Sequence, residues 1–375
     1  MARRFAIDRD FLLETASALV NIESVAPGER AVIDRLQATA NQLGMRTRRI
    51  PLEPGRDNLL ASIGEGSPVI CLDAHVDTVP ASGRSVAKAT VRGGRLLGLG
   101  ACDDKGPLAA MLAGIKALIE SGWRGPGRID LLMTIEEETI GRGIRAVVES
   151  GYRCDYAIAA EPTSLEIATA HPGLLFIEVE AKGVAAHGSM PERGVNAIDL
   201  AYCFAQDLRR EVHSWPEHPL AGKSSVNLGS LHGGDTANRV PEEATALLDV
   251  RVAPPMSTSD AARILTDLAA RQGTGVTARV HKVGEMLDTS PEGRLVKALQ
   301  EAALAATGRA APAVGWRAWS EAAVFQSAIG AEAVIFGPGE LANAHSSDEF
   351  IAIDDLYAGA EVYARAAAFL TECRE

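Results

Sequence analysis

The chain has 375 residues, 47% of them hydrophobic and 23% charged, with 37 Lys and Arg against 49 Asp and Glu for a formal net charge of −12. That length exceeds what one hydrophobic core usually serves, so two domains are expected, and the mixed composition excludes disorder, collagen-like repeats and coiled coil. The acidic balance excludes nucleic acid and anionic membranes as main partners, because a phosphate-rich surface repels a chain of the same sign.

No apolar run approaches the roughly 18 residues that cross a bilayer. The opening Met1-Ala2-Arg3-Arg4-Phe5 leads into Asp8, Arg9, Asp10 and Glu14 instead of an apolar signal core. Five cysteines (Cys71, Cys102, Cys154, Cys203 and Cys373) are odd in number, irregularly spaced and without a C-x-x-C pair. Neither a disulfide framework nor a structural zinc knuckle follows from that spacing. A reduced, cytoplasmic chain is expected.

In chain order, Phe11, Leu12, Leu19 and Ile22 recur at helical spacing before Pro27-Gly28, and a second helix is expected from Glu29 to Leu43. Val69-Ile70-Cys71-Leu72 reads as a fully buried strand, as do Ile129 to Ile135, Tyr156 to Ala160 and Ala333 to Phe336. Ala- and Leu-rich helical patterns lie between them, notably Pro107 to Glu120, with Pro in its first turn and Gly122 beyond its end. Strand and helix in alternation predict an α/β fold whose mostly parallel sheet is wrapped by helices.

From about His171 the texture changes. Ile177-Glu178-Val179-Glu180-Ala181-Lys182 alternates apolar and polar residues, as in a sheet with one wet face. A helix over about 195–210, strands over 225–231 and 244–252, a helix over 259–271 and a strand over 276–282 follow. Strand-helix-strand-strand-helix-strand is the order of a ferredoxin-like α+β sandwich. The expected organisation is a discontinuous catalytic domain, 1–171 and 285–375, interrupted by an inserted domain, 172–284.

Five polar clusters stand just after apolar runs, where ligand sites gather in open α/β sheets. They are Asp73-Ala74-His75-Val76-Asp77, Gly98 to Pro107 with Asp103 and Asp104, Glu136-Glu137-Glu138, Glu161-Pro162, and Ala344-His345-Ser346-Ser347-Asp348-Glu349. Strand alternation puts His75 and Asp77 on one side, where a carboxylate can orient an imidazole. Asp103 or Asp104 also suits the cap of the following helix. Three adjacent carboxylates near a sheet end repel one another unless positive charge sits there. Two histidines and several carboxylates supply ligands for one or two divalent ions, zinc first among them. Two ions about 3.5–4 Å apart need a bridging carboxylate and leave room for a water between them, with a spare carboxylate as general base.

His75-x-Asp77, Gly100-Ala101-x-Asp103-x-Lys105-Gly106, Glu137-Glu138, Glu161-Pro162 and Ala344-His345, in this order and spacing, resemble the co-catalytic di-zinc aminoacylase and exopeptidase family. Its members include acetylornithine deacetylase, succinyl-diaminopimelate desuccinylase, aminoacylase and carboxypeptidase G-like glutamate carboxypeptidases. The resemblance extends through the insertion, where Gly183 to Pro191 and Gly194 to Ile198 match the family's lid segment.

By that resemblance the insertion is a lid and dimerisation domain. His75, Asp103 and Glu161 would hold one metal ion and Asp103, Glu138 and His345 the other, with Asp103 bridging. Zinc is the expected ion, with cobalt or manganese as alternatives. Asp77 would orient His75, Glu137 would act as general base, and His187 would stabilise the oxyanion, in dimeric relatives from the other subunit. Asn238 and Arg251 match substrate-gripping positions, Arg251 suiting a substrate carboxylate.

The resemblance implies a homodimeric amidohydrolase that cleaves an N-acyl amino acid, in the manner of a deacetylase. Dipeptidase or glutamate carboxypeptidase activity is the alternative, as is a non-catalytic binding protein on the same fold. A cysteine nucleophile at Cys102, with His75 as base, is disfavoured because Asp103 and Asp104 suppress the thiolate. Leu99, where arginine is common, and Glu321, where aspartate is common, depart from the family pattern. His171, His213, His218, His232 and His281 are expected in loops or at the surface, and Trp316 and Trp319 in the core.

Overall fold

The computed structural model describes residues 5–81, 88–139, 141–271 and 275–372. The chain divides into two compact units. The first comprises Met1–Thr169, Thr289–Val314 and Ser320–Glu375, and the second Ala170–Asp288 with Gly315–Trp319.

Helix α1 (Arg9–Val20) starts at Asp8, whose side chain accepts a hydrogen bond from the Phe11 amide and satisfies a donor that a helix start leaves bare. Helix α2 (Arg30–Gln42) leads into the antiparallel pair β1 (Arg46–Glu53) and β2 (Arg56–Gly64). Neither strand was among the expected elements, because β1 is rich in arginine and shows little apolar alternation. Next come β3 (Val69–His75), β4 (Thr90–Arg92), β5 (Arg95–Leu97), α3 (Lys105–Glu120), β6 (Arg128–Thr134), α4 (Arg142–Glu149), β7 (Tyr156–Ala159) and β8 (Ile167–His171).

The chain then builds β9 (Gly173–Lys182), α5 (Ala197–His213), β10 (Ser225–Gly233), β11 (Glu243–Val252), α6 (Thr258–Arg271), β12 (Val276–Gly284) and β13 (Leu287–Asp288). Its last stretch holds α7 (Arg294–Thr307), β14 (Ala313–Gly315), α8 (Ala322–Val324), β15 (Glu332–Ile335), β16 (Phe350–Ala352) and α9 (Ile353–Glu372).

In the first unit the strands run β1-β2-β6-β3-β7-β15-β8. The middle is parallel, β6 with β3, β3 with β7 and β7 with β15, while the joints β1 to β2, β2 to β6 and β15 to β8 are antiparallel. The expected parallel sheet is therefore the centre of a mixed one. Parallel strands need covering on both faces, and the apolar runs of β3 and β6 are buried accordingly. Helix α3 has 13 of its 16 residues buried, as befits a helix apolar on every side, and packs on α1, α9 and β3. At its crossing with α9, a Cβ on Gly114 would lie 2.7 Å from the Ala360 carbonyl oxygen, so only glycine permits this approach.

The second unit is a four-stranded sheet, β10-β11-β9-β12, with every joint antiparallel. That order, built from two strand-helix-strand pieces, is the ferredoxin-like arrangement. One face is dry: Leu175, Ile177 and Val179 of β9 and Ala246, Leu248 and Val250 of β11 pack under Phe204 and Leu208 of α5 and Leu265 of α6. Asn196 caps α5 by accepting from the amides of Ile198 and Asp199.

Candidate metal centre

Parallel pairing sets His75 opposite Thr134 and Asp73 opposite Ala159, so β3, β6 and β7 end together. The loops that leave those ends carry His75 to Asp77, Glu136 to Glu138 and Glu161. Asp103 arrives at the start of α3, where the helix macrodipole favours negative charge. His345 follows a short turn, Leu341–Asn343, and adopts φ 57°, a left-handed backbone that a non-glycine residue holds at some cost.

These side chains meet. Asp103 Oδ1 lies 2.9 Å from His75 Nε2 and Asp103 Oδ2 lies 3.2 Å from His345 Nε2. His345 Nε2 is also 2.9 Å from Glu138 Oε1. Ligand atoms of His75, Asp103 and Glu138 all fall within 4.8 Å of one another. A carboxylate between two imidazoles, with a second carboxylate on one of them, is a donor set suited to divalent ions of the zinc type. Glu161 is buried, and burial pushes its carboxyl well up, with Asp103 and Glu137 adding to the rise.

The electrostatics describe a centre short of positive charge. Burial pushes the Asp103 carboxyl up, but hydrogen bonds from His345 and His75 outweigh it and hold the group well below the usual range. Hydrogen bonds to Asp103 and Glu138 raise His345 to about 10. His75 is raised well above its ordinary value: burial lowers it, and Asp103, Glu137 and Asp104 more than compensate. Burial also pushes Glu137 well up, opposed by His75 and reinforced by Glu321, Glu138 and Asp77. A bound cation would relieve that repulsion among the acids.

His75 is oriented through Nδ1, which stands 3.1 Å from the Asp77 carbonyl oxygen and 3.7 Å from its carboxylate. The Asp77 carboxylate instead accepts from the amides of Glu137 and Glu138, each at 3.1 Å. It therefore fixes the loop that carries both acids. Glu136 turns away to Arg56 at 2.9 Å and Arg142 at 3.3 Å. Asp104 stands at the cap of α3, yet its buried side chain makes no capping hydrogen bond. The capping account of the two aspartates thus fails, since Asp103 is engaged by the histidines.

Two residues with no assigned role in the sequence reading prove central. Glu349 is buried, and its Oε1 accepts from the amides of Cys102 at 2.8 Å and Asp103 at 3.1 Å. The Lys105 side chain is buried too and donates to the Ile22 carbonyl at 2.7 Å. An acid four residues after His345 is the only sequence signal for Glu349, and a solvated turn would look the same. Glu321 accepts from the Thr134 hydroxyl at 2.6 Å and is buried beside Asp73, whose carboxyl burial pushes up to about 8. Cys102 is buried, and burial with Glu349 and Asp103 pushes its thiol up, which removes it as a nucleophile.

The second unit holds the other expected residues. His187 and Asn238 come together on adjacent segments, where the Gly188 amide donates to the Asn238 carbonyl at 2.7 Å. His187 Nδ1 accepts from the Ser189 amide at 3.2 Å, which leaves Nε2 as the ring's donor nitrogen. Arg251 is half-buried at the end of β11 and paired with Asp249 at 3.0 Å. His171 departs from expectation: it lies in β8, fully buried, with Nδ1 2.9 Å from the Pro172 carbonyl, and burial lowers it to about 4.

Comparison with known proteins adds an independent line. Residues 71–368 match the description Peptidase family M20/M25/M40. A probable succinyl-diaminopimelate desuccinylase of Staphylococcus epidermidis is 28% identical over 380 residues, covering 92% of this chain and 94% of its own. An acetylornithine deacetylase of Pasteurella multocida is 30% identical over 366 residues, covering 91% and 93%. Among solved structures, aminopeptidase PepT of Bacillus cereus superposes with a TM-score of 0.82 at 21% identity, over 97% of this chain and 99% of that one. A dinuclear metal-binding M20 peptidase of Bacillus subtilis does so at 0.73 and 16% identity, over 97% and 98%. The two structures share the fold.

Proposed function

We propose, from the premise that the chain belongs to peptidase family M20/M25/M40 and is a metallohydrolase of amide bonds, that it removes the acyl group of an N-acyl amino acid at a pair of divalent ions. The observation that carries the reading is the position of Asp103, whose two oxygens each face a different histidine. His75, Asp103 and Glu161 would hold one ion and Asp103, Glu138 and His345 the other, zinc being the ion the donors suit best. The bound ions would supply electrophilic activation of the amide carbonyl and acidify water.

The remaining chemistry belongs to side chains. Glu137, raised by burial and its acidic neighbours, accepts a proton from the attacking water and delivers it to the departing amine. Asp77 keeps Glu137 and Glu138 in register through their amides. His187, with a free Nε2–H, is the donor for the oxyanion, and Arg251 the partner of a substrate carboxylate. The unit built on β9 to β12 is the lid and dimerisation domain of a homodimer in this reading. Cys71, Cys102, Cys154 and Cys203 are free thiols, which suits a reduced cytoplasmic compartment.

The test is dialysis against a chelator, then zinc or cobalt addition, assayed in parallel on N-acetyl and N-succinyl amino acids and on dipeptides. Loss and recovery of N-acyl cleavage supports the proposal. Turnover confined to dipeptides transfers it to an exopeptidase, and undiminished turnover without metal overturns it.

A further inference from the structure

Glu349 stands where two parts of the centre join. It lies four residues beyond His345 and immediately before β16, whose residues Phe350 and Ile351 pair with Leu97 and Leu96 of β5. Its own carbonyl accepts from the Gly98 amide at 3.0 Å, at the head of the loop that ends in Asp103. Its carboxylate then takes the amides of Cys102 and Asp103 at the tail of that loop. One residue thus holds both ends of a segment whose last member reaches both histidines.

The surroundings keep it there. Cys102 Sγ is 3.5 Å from the Glu340 carbonyl, and a Cβ on Gly339 would come within 2.8 Å of that sulfur, so no side chain fits between the two segments. Burial lowers the Lys105 ammonium to about 8, opposed by the negative charge of Glu349, Asp77 and Glu23. At Gly100, with φ 79°, a Cβ would press on Thr78 and on the Lys105 stem, which fixes how the lysine runs.

We infer that Glu349 is a positioning residue of the metal centre, one that sets Asp103 against His345 through the amides of Cys102 and Asp103. It touches no substrate. The inference rests on the two-ion reading above and adds that the length of the 349 side chain, more than its charge, decides how well the ions are held. Glutamine keeps the length and one acceptor oxygen, whereas aspartate keeps the charge but draws the acceptor back by one methylene.

The experiment titrates chelator-treated full-length protein with Co(II), followed by calorimetry and visible absorption. Wild-type protein should take up two ions. Glu349→Gln should bind them within about 3-fold of wild type, and Glu349→Asp should weaken binding by about 10- to 100-fold, the usual cost of losing support behind a ligand, with an altered absorption band. Should the aspartate variant fail to fold, Glu349→Met, of similar length with no oxygen, takes its place with the same expected loss. Wild-type affinity in the shortened or oxygen-free variant, with or without a lower Tm, overturns the inference, and so does a glutamine variant that binds more weakly than the aspartate one. Uptake of fewer than two ions by wild-type protein overturns the proposed centre itself, and this inference with it.

Discussion

In the unit built on the parallel strands, His75, Asp77, Asp103, Asp104 and Lys105 are each no more than 6% exposed, whereas His187 and Asn238 of the β9–β12 unit are exposed and Arg251 is half-buried beside its own acid. Burying charge is expensive unless a group finds opposite charge or hydrogen bonds, so the first unit spends amides and counter-ions on most of them, while Asp104, whose carboxyl oxygens have no hydrogen-bond partner among the described residues, is pushed well up by burial. Asp77 and Glu349 each take two consecutive backbone amides. The second unit meets less of this demand, because the packed face of its sheet is apolar and its buried His171, lowered by burial to about 4, stays uncharged near neutrality. Buried, hydrogen-bonded placement of charge marks the first unit, and solvent-exposed His187 and Asn238 mark the second.

The sharpest way to break that contrast is Glu137→Ala. It should lower kcat by about 10²- to 10⁴-fold, the span of a lost general base, while cobalt absorption stays intact. Loss of the ions along with turnover would make Glu137 a ligand instead. Next in size, Leu112→Ala in α3 and Leu208→Ala in α5, both fully buried, should each cost about 2–5 kcal/mol in urea unfolding. Only the α3 change should also weaken cobalt binding, since α3 carries Asp103 at its head. Equal effects on binding would show that the two units are not specialised as argued.

His171 provides a pH test within the second unit. The unfolded chain takes up a proton at this residue near pH 6.5, but the folded chain resists until about pH 4. Stability is therefore fully present above pH 6.5 and is lost as pH falls through that window, by about 3 kcal/mol in total. Urea midpoints measured from pH 7 to pH 4 should separate wild type from His171→Leu, with the flatter curve belonging to the variant. The smallest effect is expected from Arg251→Ala: about 0–1 kcal/mol of stability, because its ion pair with Asp249 is partly solvated, alongside a raised KM. A large loss of stability there would mean that the second unit also depends on held charge.

How much of this could be read in advance varies with how local the cause is. The clusters holding His75, Asp103, Glu138 and His345 were legible because each follows an apolar run or precedes a helix and the strand ends of a parallel sheet converge, whereas the choice of these four within their clusters came from the family resemblance. The role of Glu349 was not, since its partners Cys102 and Asp103 lie 247 and 246 residues away along the chain. The run of three acids leaves the register of base and ligand open by one residue, and only the family resemblance, through the spacing to Gly141, favours Glu137 and Glu138. It is Arg56, reaching from 80 residues earlier, that draws Glu136 aside. β1 escaped notice because Arg46, Arg48 and Arg49 mask a strand whose inward residue is Ile50. His171 looked like a loop residue because nothing local reveals that β8 is covered.

The contact of Gly114 with the backbone of Ala360 has a genetic corollary. Any side chain at 114 must push α9 away from α3, and α3 carries at its other end the loop that presents Asp103. A selection for heat-labile alleles should therefore find lesions at this crossing, where warmth and bulk act together on a lever. Lesions among the acids and histidines of the centre should give strains that are null at every temperature.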